Sequence, residues 1–436
     1  MIYARRELQQ RLNELRSVLD SDAIDKLVKR LNLCGKDRVA AMWELVVLHG
    51  LSKCGYIQNE ITLSSLRKPD IFFEHNELRF IADVTAVSDE GLNKDNPYEE
   101  LMEMIRIAKD KLKLPIGGLT INIKSRREET KRGTRIKLLL PTKNRLQEFV
   151  DKVIVPKLIE KVKVGTFPFS IEIKEDGVNL NIIIDSVQSP YNSCSFACYD
   201  LPRIKDRNPL YNALKNKASQ LKGVSDISGV IVGDNGCAVI SNRISSFDSV
   251  SIEQIVNEFF RQFLSVDFIL LLSIREHQDH SIFSGSLRRK NHISLFVRTE
   301  CKAKKELEDL FEKMVEHFPT PIMMPINGAR RACEDDYYLG YHGAYNMEGS
   351  KIVRIGLREF TEILAGLKVL QDNGARYVDA SRKLPQEPNQ LQDLILKNFK
   401  EGRLPETINI IKTPKNDDDW VEISFGERDP AISPFQ

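Results

Sequence analysis

Leucines recur at alternating four- and three-residue steps near the start of the chain. Leu8, Leu12, Leu15 and Leu19 share one side of a 3.6-residue period, which predicts a helix over residues 4–30 carrying an apolar stripe. The stripe admits two readings: a seam for a homodimer or partner subunit, and packing on the chain's own body. It is too short to specify a coiled coil. After the Cys34-Gly35 break, AAMWELVVLHGLSKCGY predicts a core helix ending at Gly55. The period then changes to two, and the segment around ITL, then PDIFFEH and LRFIADVTAV, predict a strand meander. A turn at His75-Asn76-Glu77 joins the last two strands.

Helical patterns over about 98–113 and 143–163 alternate with strand patterns in GLTINIKS, FSIEIK and VNLNIIIDSV. The helix PLYNALKNKASQLKG leads into SGVIVG, a continuous apolar run of the kind expected for a strand buried on both faces. Helix SIEQIVNEFFRQFL, strand DFILLLSI, a polar loop around Arg288 and strand HISLFVRT extend the same sheet to about residue 300. Beyond lie the amphipathic helix KKELEDLFEKMVEHF, a loop-rich segment from Pro319 to Gly328, helix LREFTEILAGLKVLQ and a polar tail. The order predicts an α/β (α+β) fold with a mixed central sheet flanked by helices. Its expected parts are a helical segment at 1–33, a core at 34–300 with an insertion at about 90–205, and a mainly helical region at 301–436.

A chain of 436 residues exceeds what one core usually organises, and 42% hydrophobic with 29% charged residues excludes a disordered class. The net charge of +2 supplies no global attraction for phosphate, so a nucleic-acid surface has to come from local clusters. Lys124, Arg126, Arg127, Lys131, Arg132, Arg135 and Lys137 form one cluster, and Arg288, Arg289 and Lys290 a second. Each reads as phosphate contact or as solvated loop. The opening MIYARRELQQ has no apolar h-region, and no uninterrupted apolar stretch reaches spanning length. A cytoplasmic protein without membrane contact is the expectation. Seven scattered cysteines form no disulfide framework, and Cys194 with Cys198 lacks the second ligand pair of a zinc site.

The candidate chemistry lies in three carboxylates. Glu44 sits within a helix, Asp70 opens a strand, and Asp83 stands two residues before Thr85 on the next strand. Strand period places Asp83 and Thr85 on one face and Ala82 and Val84 on the other. A carboxylate inside FIADVTAV needs a cationic partner. Asp70 and Asp83 meet across the hairpin, and a divalent cation between them removes their repulsion. Hard oxygen ligands with open water positions suit Mg²⁺ or Mn²⁺, and such a centre hydrolyses phosphodiesters. The bland readings are that Glu44 pairs with Arg38 and that Asp70 caps a turn. The glycines of VGDNG at 232–236 lack the spacing and lysine of a phosphate loop and read as a hairpin turn. His277, His280 and His292 read as surface residues.

Glu44 in MWELVVLHGLSKCGY, Asp70 in KPDIFF and Asp83 in FIADVTAV resemble the PD-(D/E)xK nuclease superfamily, over about residues 36–90 and 209–234. The resemblance implies a restriction-endonuclease-like fold and a Mg²⁺- or Mn²⁺-dependent nuclease acting on nucleic acid, with DNA the expected polymer and a bacterial restriction or anti-phage defence role. Asp70, Asp83 and Glu44 would hold the metal, with the Val84 carbonyl completing its shell. Thr85 stands where the family carries its lysine, and a hydroxyl cannot supply that charge. Lys217 and Gln220, expected on one side of helix PLYNALKNKASQLKG, are the candidate replacements for orienting water or steadying phosphorane charge. Lys124, Arg126, Arg127 and Arg132 are the candidate nucleic-acid contacts. The alternatives are a catalytically inactive nucleic-acid-binding module of the same fold and a structural subunit of a larger complex.

Overall fold

A computed structural model describes residues 1–59, 68–89, 96–114, 118–130, 133–175, 177–185, 193–196, 204–205, 208–223, 226–241, 250–278, 287–334, 345–371, 374–377 and 390–432. The chain divides into two compact units, residues 1–89 with 203–436 and residues 90–202. The first unit opens with α1 (Arg5–Leu15) and α2 (Ser21–Asn32) in place of the single helix expected over 4–30. The break falls at Asp20, whose carboxylate accepts the Ala23 N–H at 2.7 Å. A side-chain acceptor there satisfies an N–H that a new helix start leaves open. Leu8, Leu12, Leu15 and Leu19 are all buried in the core around α3 (Lys36–Ser52), so the stripe packs on the chain's own body and the dimer-seam reading is corrected.

Helix α3 is buried nearly all round, through Met42, Trp43, Val46, Val47, Leu48 and Leu51. It leads into the antiparallel meander β1 (Tyr56–Asn59), β2 (Ile71–His75) and β3 (Leu78–Val87). Between His75 and Leu78, which pair, Asn76 takes φ 53°, the left-handed conformation that tight hairpin turns demand and Asn tolerates.

In the second unit α4 (Tyr98–Lys111) precedes β4 (Leu119–Ile123) and the hairpin β5 (Ser125–Thr130) with β6 (Gly133–Leu138). Helix α5 (Lys143–Phe149), a π-helical turn (Val150–Ile154) and α6 (Val155–Val164) follow, then β7 (Phe169–Glu175), β8 (Val178–Ile184) and β9 (Ser193–Phe196). Its sheet runs β7-β8-β4-β9, with β9 parallel to β4. Strand alternation turns Ile171, Ile173, Leu180 and Ile182 into one core with Leu146, Ile154 and Leu158 of the helices.

The first unit resumes with α7 (Pro209–Ala218), β10 (Ile227–Asp234), α8 (Ile252–Gln262), β11 (Phe268–Gln278), β12 (Leu287–Val297) and α9 (Lys304–Glu316). Its mixed sheet has the order β1-β2-β3-β10-β11-β12, in which β10 pairs in parallel with both β3 and β11. Phe80, Ala82 and Val84 of β3 face the core that holds α3, and Ile81 and Val87 face the core that holds Leu214 of α7 and Phe259 of α8. Gly233 of β10 is a close-approach position, because a Cβ there would lie 2.3 Å from the Trp43 ring.

Three expectations change here. Arg288, Arg289 and Lys290 belong to β12, opposite His277, Glu276 and Arg275 of β11, and form no loop. VGDNG does not close a hairpin: β10 lies between parallel neighbours, and Asp234 Oδ1 ends it by accepting the Gly236 and Cys237 N–H groups at 2.8 and 2.9 Å. Among the described residues, the C-terminal region mixes helices and strands and is not mainly helical. It contains α10 (Pro325–Glu334), β13 (Tyr345–Glu348), β14 (Ile352–Gly356), α11 (Leu357–Leu364), β15 (Lys368–Gln371), β16 (Gly374–Tyr377), α12 (Gln390–Lys400), β17 (Pro405–Ile411) and β18 (Trp420–Phe425). A sheet β13-β14-β18-β17 carries its own small core of Val353, Ile355, Leu391, Val421 and Phe425. Among the described residues, no helix is long and apolar enough to cross a membrane.

Candidate active site

Asp83 points from β3 into the layer between the sheet and α7, and is fully buried. Its Oδ1 accepts the Asp70 backbone N–H at 3.1 Å, and its Oδ2 is buried without a hydrogen-bond partner. Burial pushes the Asp83 carboxyl up to about 6, Lys217 opposes the rise and the negative charge of Asp70 adds to it. Asp70 stands just before β2, where the strand has not yet begun to pair. Its Oδ2 therefore takes the next open donor on β3, the Val84 N–H, at 2.8 Å. In an extended strand a residue's N–H and C=O leave on the same edge, so the Val84 carbonyl is directed to the side where Asp70 sits.

Lys217 reaches this pair from α7. The helix starts at Pro209, whose fixed φ suits the first helical position, and the Asn208 side chain caps it by accepting the Tyr211 N–H at 3.0 Å. Leu210, Leu214 and Ala218 anchor the buried face, and Lys217, beside them, is half-buried along its stem. Its Nζ lies 3.2 Å from Asp70 Oδ2 and 3.6 Å from Asp83 Oδ1. Lysine is thus brought to the carboxylates from a helix, while Thr85 of β3 keeps a small half-buried hydroxyl on the same face as Asp83.

Glu44 approaches from α3, with 12% of its side chain exposed. Burial raises its pKa, Arg30 opposes that, Asp70 adds to it and Lys217 opposes it, so Glu44 feels the charges of the same site. Its ion-pair partner is Arg30 of α2, at 2.6 Å, and not the expected Arg38. The buried Arg38 instead closes the turn between α2 and α3, donating to the Leu33 and Asn32 carbonyls at 2.9 and 3.3 Å. Sequence reasoning missed Arg30 because nothing in the spacing of α2 indicates which of its polar residues crosses to α3.

Gln220 is placed differently from the expectation. Helix α7 ends at Ala218, and Gln220 lies exposed in the following turn, where its backbone N–H donates to the Lys217 carbonyl at 2.9 Å. The turn breaks the three-residue helical spacing that would have set it beside Lys217, and no contact of its side chain with Asp70 or Asp83 is found among the described residues. Among the described residues, no group of three or more His, Cys, Asp or Glu side chains stands close enough to hold a metal ion. The carboxylates that do converge are those of Asp70 and Asp83, tied together through the Asp70 and Val84 backbone N–H groups.

Of the nucleic-acid candidates, Lys124, Arg126 and Arg127 are exposed on the second unit, and Arg126 pairs with Glu128 at 2.7 Å. Arg132 lies outside the described residues, as do His280 and Cys198. His277 and His292 occupy β11 and β12, and burial lowers the pKa of His292. Comparison of the chain with protein-family models, with curated proteins and with solved structures finds no match.

Proposed function

We propose that the chain is a metal-dependent nuclease that hydrolyses phosphodiester bonds of nucleic acid, with DNA as the first substrate class. The observation that carries the reading is the Lys217 ammonium within 3.2 Å of Asp70 and 3.6 Å of a fully buried Asp83. A structural ion pair would satisfy both oxygens of a buried carboxylate, whereas Asp83 Oδ2 has no hydrogen-bond partner. Two carboxylates and a strand carbonyl are hard oxygen donors of the kind Mg²⁺ or Mn²⁺ takes, and the orphaned Oδ2 is the atom a cation would satisfy. Asp70, Asp83 and the Val84 carbonyl would hold it, with Glu44 acting at longer range.

When bound, the cation would acidify water and screen the charge on the scissile phosphate. The chain's own residues do the rest. Lys217 carries a fixed positive charge beside the carboxylates, where it can orient a water and offset charge that builds on the phosphorane. Asp83, walled from solvent, gives the pair a low-dielectric side that strengthens each of these interactions. Arg30 opposes the rise that burial and the charge of Asp70 impose on the Glu44 carboxyl. The resemblance to restriction-type nucleases adds a bacterial defence role to the proposal.

Purified full-length chain is incubated with plasmid, linear duplex, single strands and RNA, with Mg²⁺ or Mn²⁺. Cleavage that needs the metal and falls by roughly 10²–10³-fold in Asp70→Asn, Asp83→Asn and Lys217→Ala is the expected result. The reading fails if no polymer is cut, or if the variants cut as well as the parent.

A further inference from the structure

The second unit holds a groove of about 400 Å³, inside the roughly 300–1,000 Å³ range of ligand pockets. Three features of it point to a ligand. Arg126 of β5, Lys137 of β6, Arg145 of α5 and Lys152 of the π-helical turn line it against two carboxylates, Glu148 and Glu175, so its walls carry excess positive charge. Arg126 and Lys152 are already held by Glu128 and Glu148, each at 2.7 Å, and Arg145 acts on the same Glu148 by its charge, while Lys137 forms no ion pair among the described residues. The floor is apolar, built from Leu140, Phe149 and Val153.

The π-helical turn is the third feature. It replaces the ordinary helix over Val150–Ile154 between α5 and α6 and sets Lys152 and Val153 into the groove wall. Single π turns within α-helices are rare and occur frequently at functional sites.

We propose that this groove binds a nucleotide, with its phosphate on Lys137 and Arg145 and its base on the apolar floor. A phosphate ion alone would leave the floor unused. A flat base matches a compact apolar wall, and phosphate supplies the anion that four cations against two carboxylates call for. Lys124, two residues before Arg126 and exposed, lies on the same unit. A nucleotide within a strand and a free mononucleotide share this chemistry, and the test separates them. The site lies wholly in the second unit and is independent of the hydrolysis reading.

Binding is measured on the full-length chain in a metal chelator, which suppresses cleavage, using nucleoside 5′-monophosphates, a short single-stranded oligonucleotide and inorganic phosphate. Saturable binding of the monophosphates or the oligonucleotide, each tighter than inorganic phosphate, is expected. Lys137→Glu with Arg145→Glu should weaken it by at least about tenfold. Val153→Trp, which fills the floor without altering charge, should weaken it as well, with circular dichroism unchanged. Preference for the oligonucleotide identifies a strand site, and preference for the monophosphates a free-nucleotide site. The proposal is overturned if neither nucleotide probe binds, if inorganic phosphate binds as tightly, or if both variants bind like the parent.

Discussion

Replacing Asp83 by Asn tests whether this carboxylate is a strained ligand or a comfortable ion-pair partner. Burial raises its pKa from the ordinary 3.8 to about 6. The folded chain therefore holds the Asp83 proton more tightly than the unfolded chain does. Between pH 4 and 6 the folded state binds more protons, so the stability of the metal-free protein falls as pH rises through that window. Above it the full penalty is present. About two pH units at 1.36 kcal/mol each make this roughly 3 kcal/mol. The neutral amide carries no such penalty, so Asp83→Asn gains roughly 3 kcal/mol over the parent on going from pH 4 to pH 8, while cleavage is lost. Any constant effect of the amide shifts both ends equally and leaves that difference intact. A divalent cation at 100 times its Kd would return about 2.7 kcal/mol to the parent alone, nearly closing the gap. Trp43, buried in the core of the same unit, reports urea unfolding by its fluorescence once Trp420, the only other tryptophan, is replaced by Phe. Parallel stability curves for the parent and the Asp83→Asn variant across this pH range would falsify the buried-carboxylate argument.

Lys217→Met keeps the stem and removes the charge, and should slow metal-dependent cleavage by roughly 10²–10³-fold with Lys217→Arg intermediate; equal single-turnover rates would remove Lys217 from the chemistry. Arg30→Ala leaves Glu44 buried beside Asp70 without its counter-ion, so the Glu44 pKa rises further and the acidic limb of the pH profile for kcat/KM moves to higher pH. Arg38→Ala should leave that limb in place and lower stability, since it opens the α2–α3 turn; a shift of equal size in both variants would show that Glu44 is not the sensor. Gly233→Ala puts a Cβ 2.3 Å from the Trp43 ring and should cost about 1–3 kcal/mol in the same fluorescence-monitored unfolding, and an unchanged midpoint would contradict that close approach.

What could be read from the sequence was set by local physics. Alternation marks the β2–β3 hairpin, and apolar runs bounded by glycine mark α3 and the buried strand β10, because each is long or regular enough for its own side chains to define it. The placement of Asp70 and Asp83 follows from strand alternation and a tight turn. Other features depended on competition between neighbours. The expected 4–30 helix keeps its apolar period across Leu15 and Leu19, but Asp20 offers a cap that splits it. Arg288–Lys290 reads as loop because charged residues dominate it, yet pairing with β11 supplies the ladder that its composition obscures. The Arg30–Glu44 pair joins two helices whose packing no local pattern encodes.

The joining of Lys217 to Asp70 across 147 residues shows why a site can be legible while its supporting architecture is not. Between β3 and α7 the chain makes a complete second unit, yet β3 and β10 keep an unbroken parallel register from Ile227 opposite Phe80 to Asp234 opposite Val87. Loop-closure entropy grows only with the logarithm of length, so a folded insertion disturbs this pairing little once its ends emerge close together. The site then requires only that α7 pack on the face where Asp83 points, which Leu214 and Ala218 enforce by burial in the core they share with Ile81 and Val230. Because the ammonium beside the two carboxylates comes from a helix, its position depends on the packing of α7. Substitutions at Leu214 should therefore lower cleavage through Lys217 placement, with the loss appearing in kcat more than in KM.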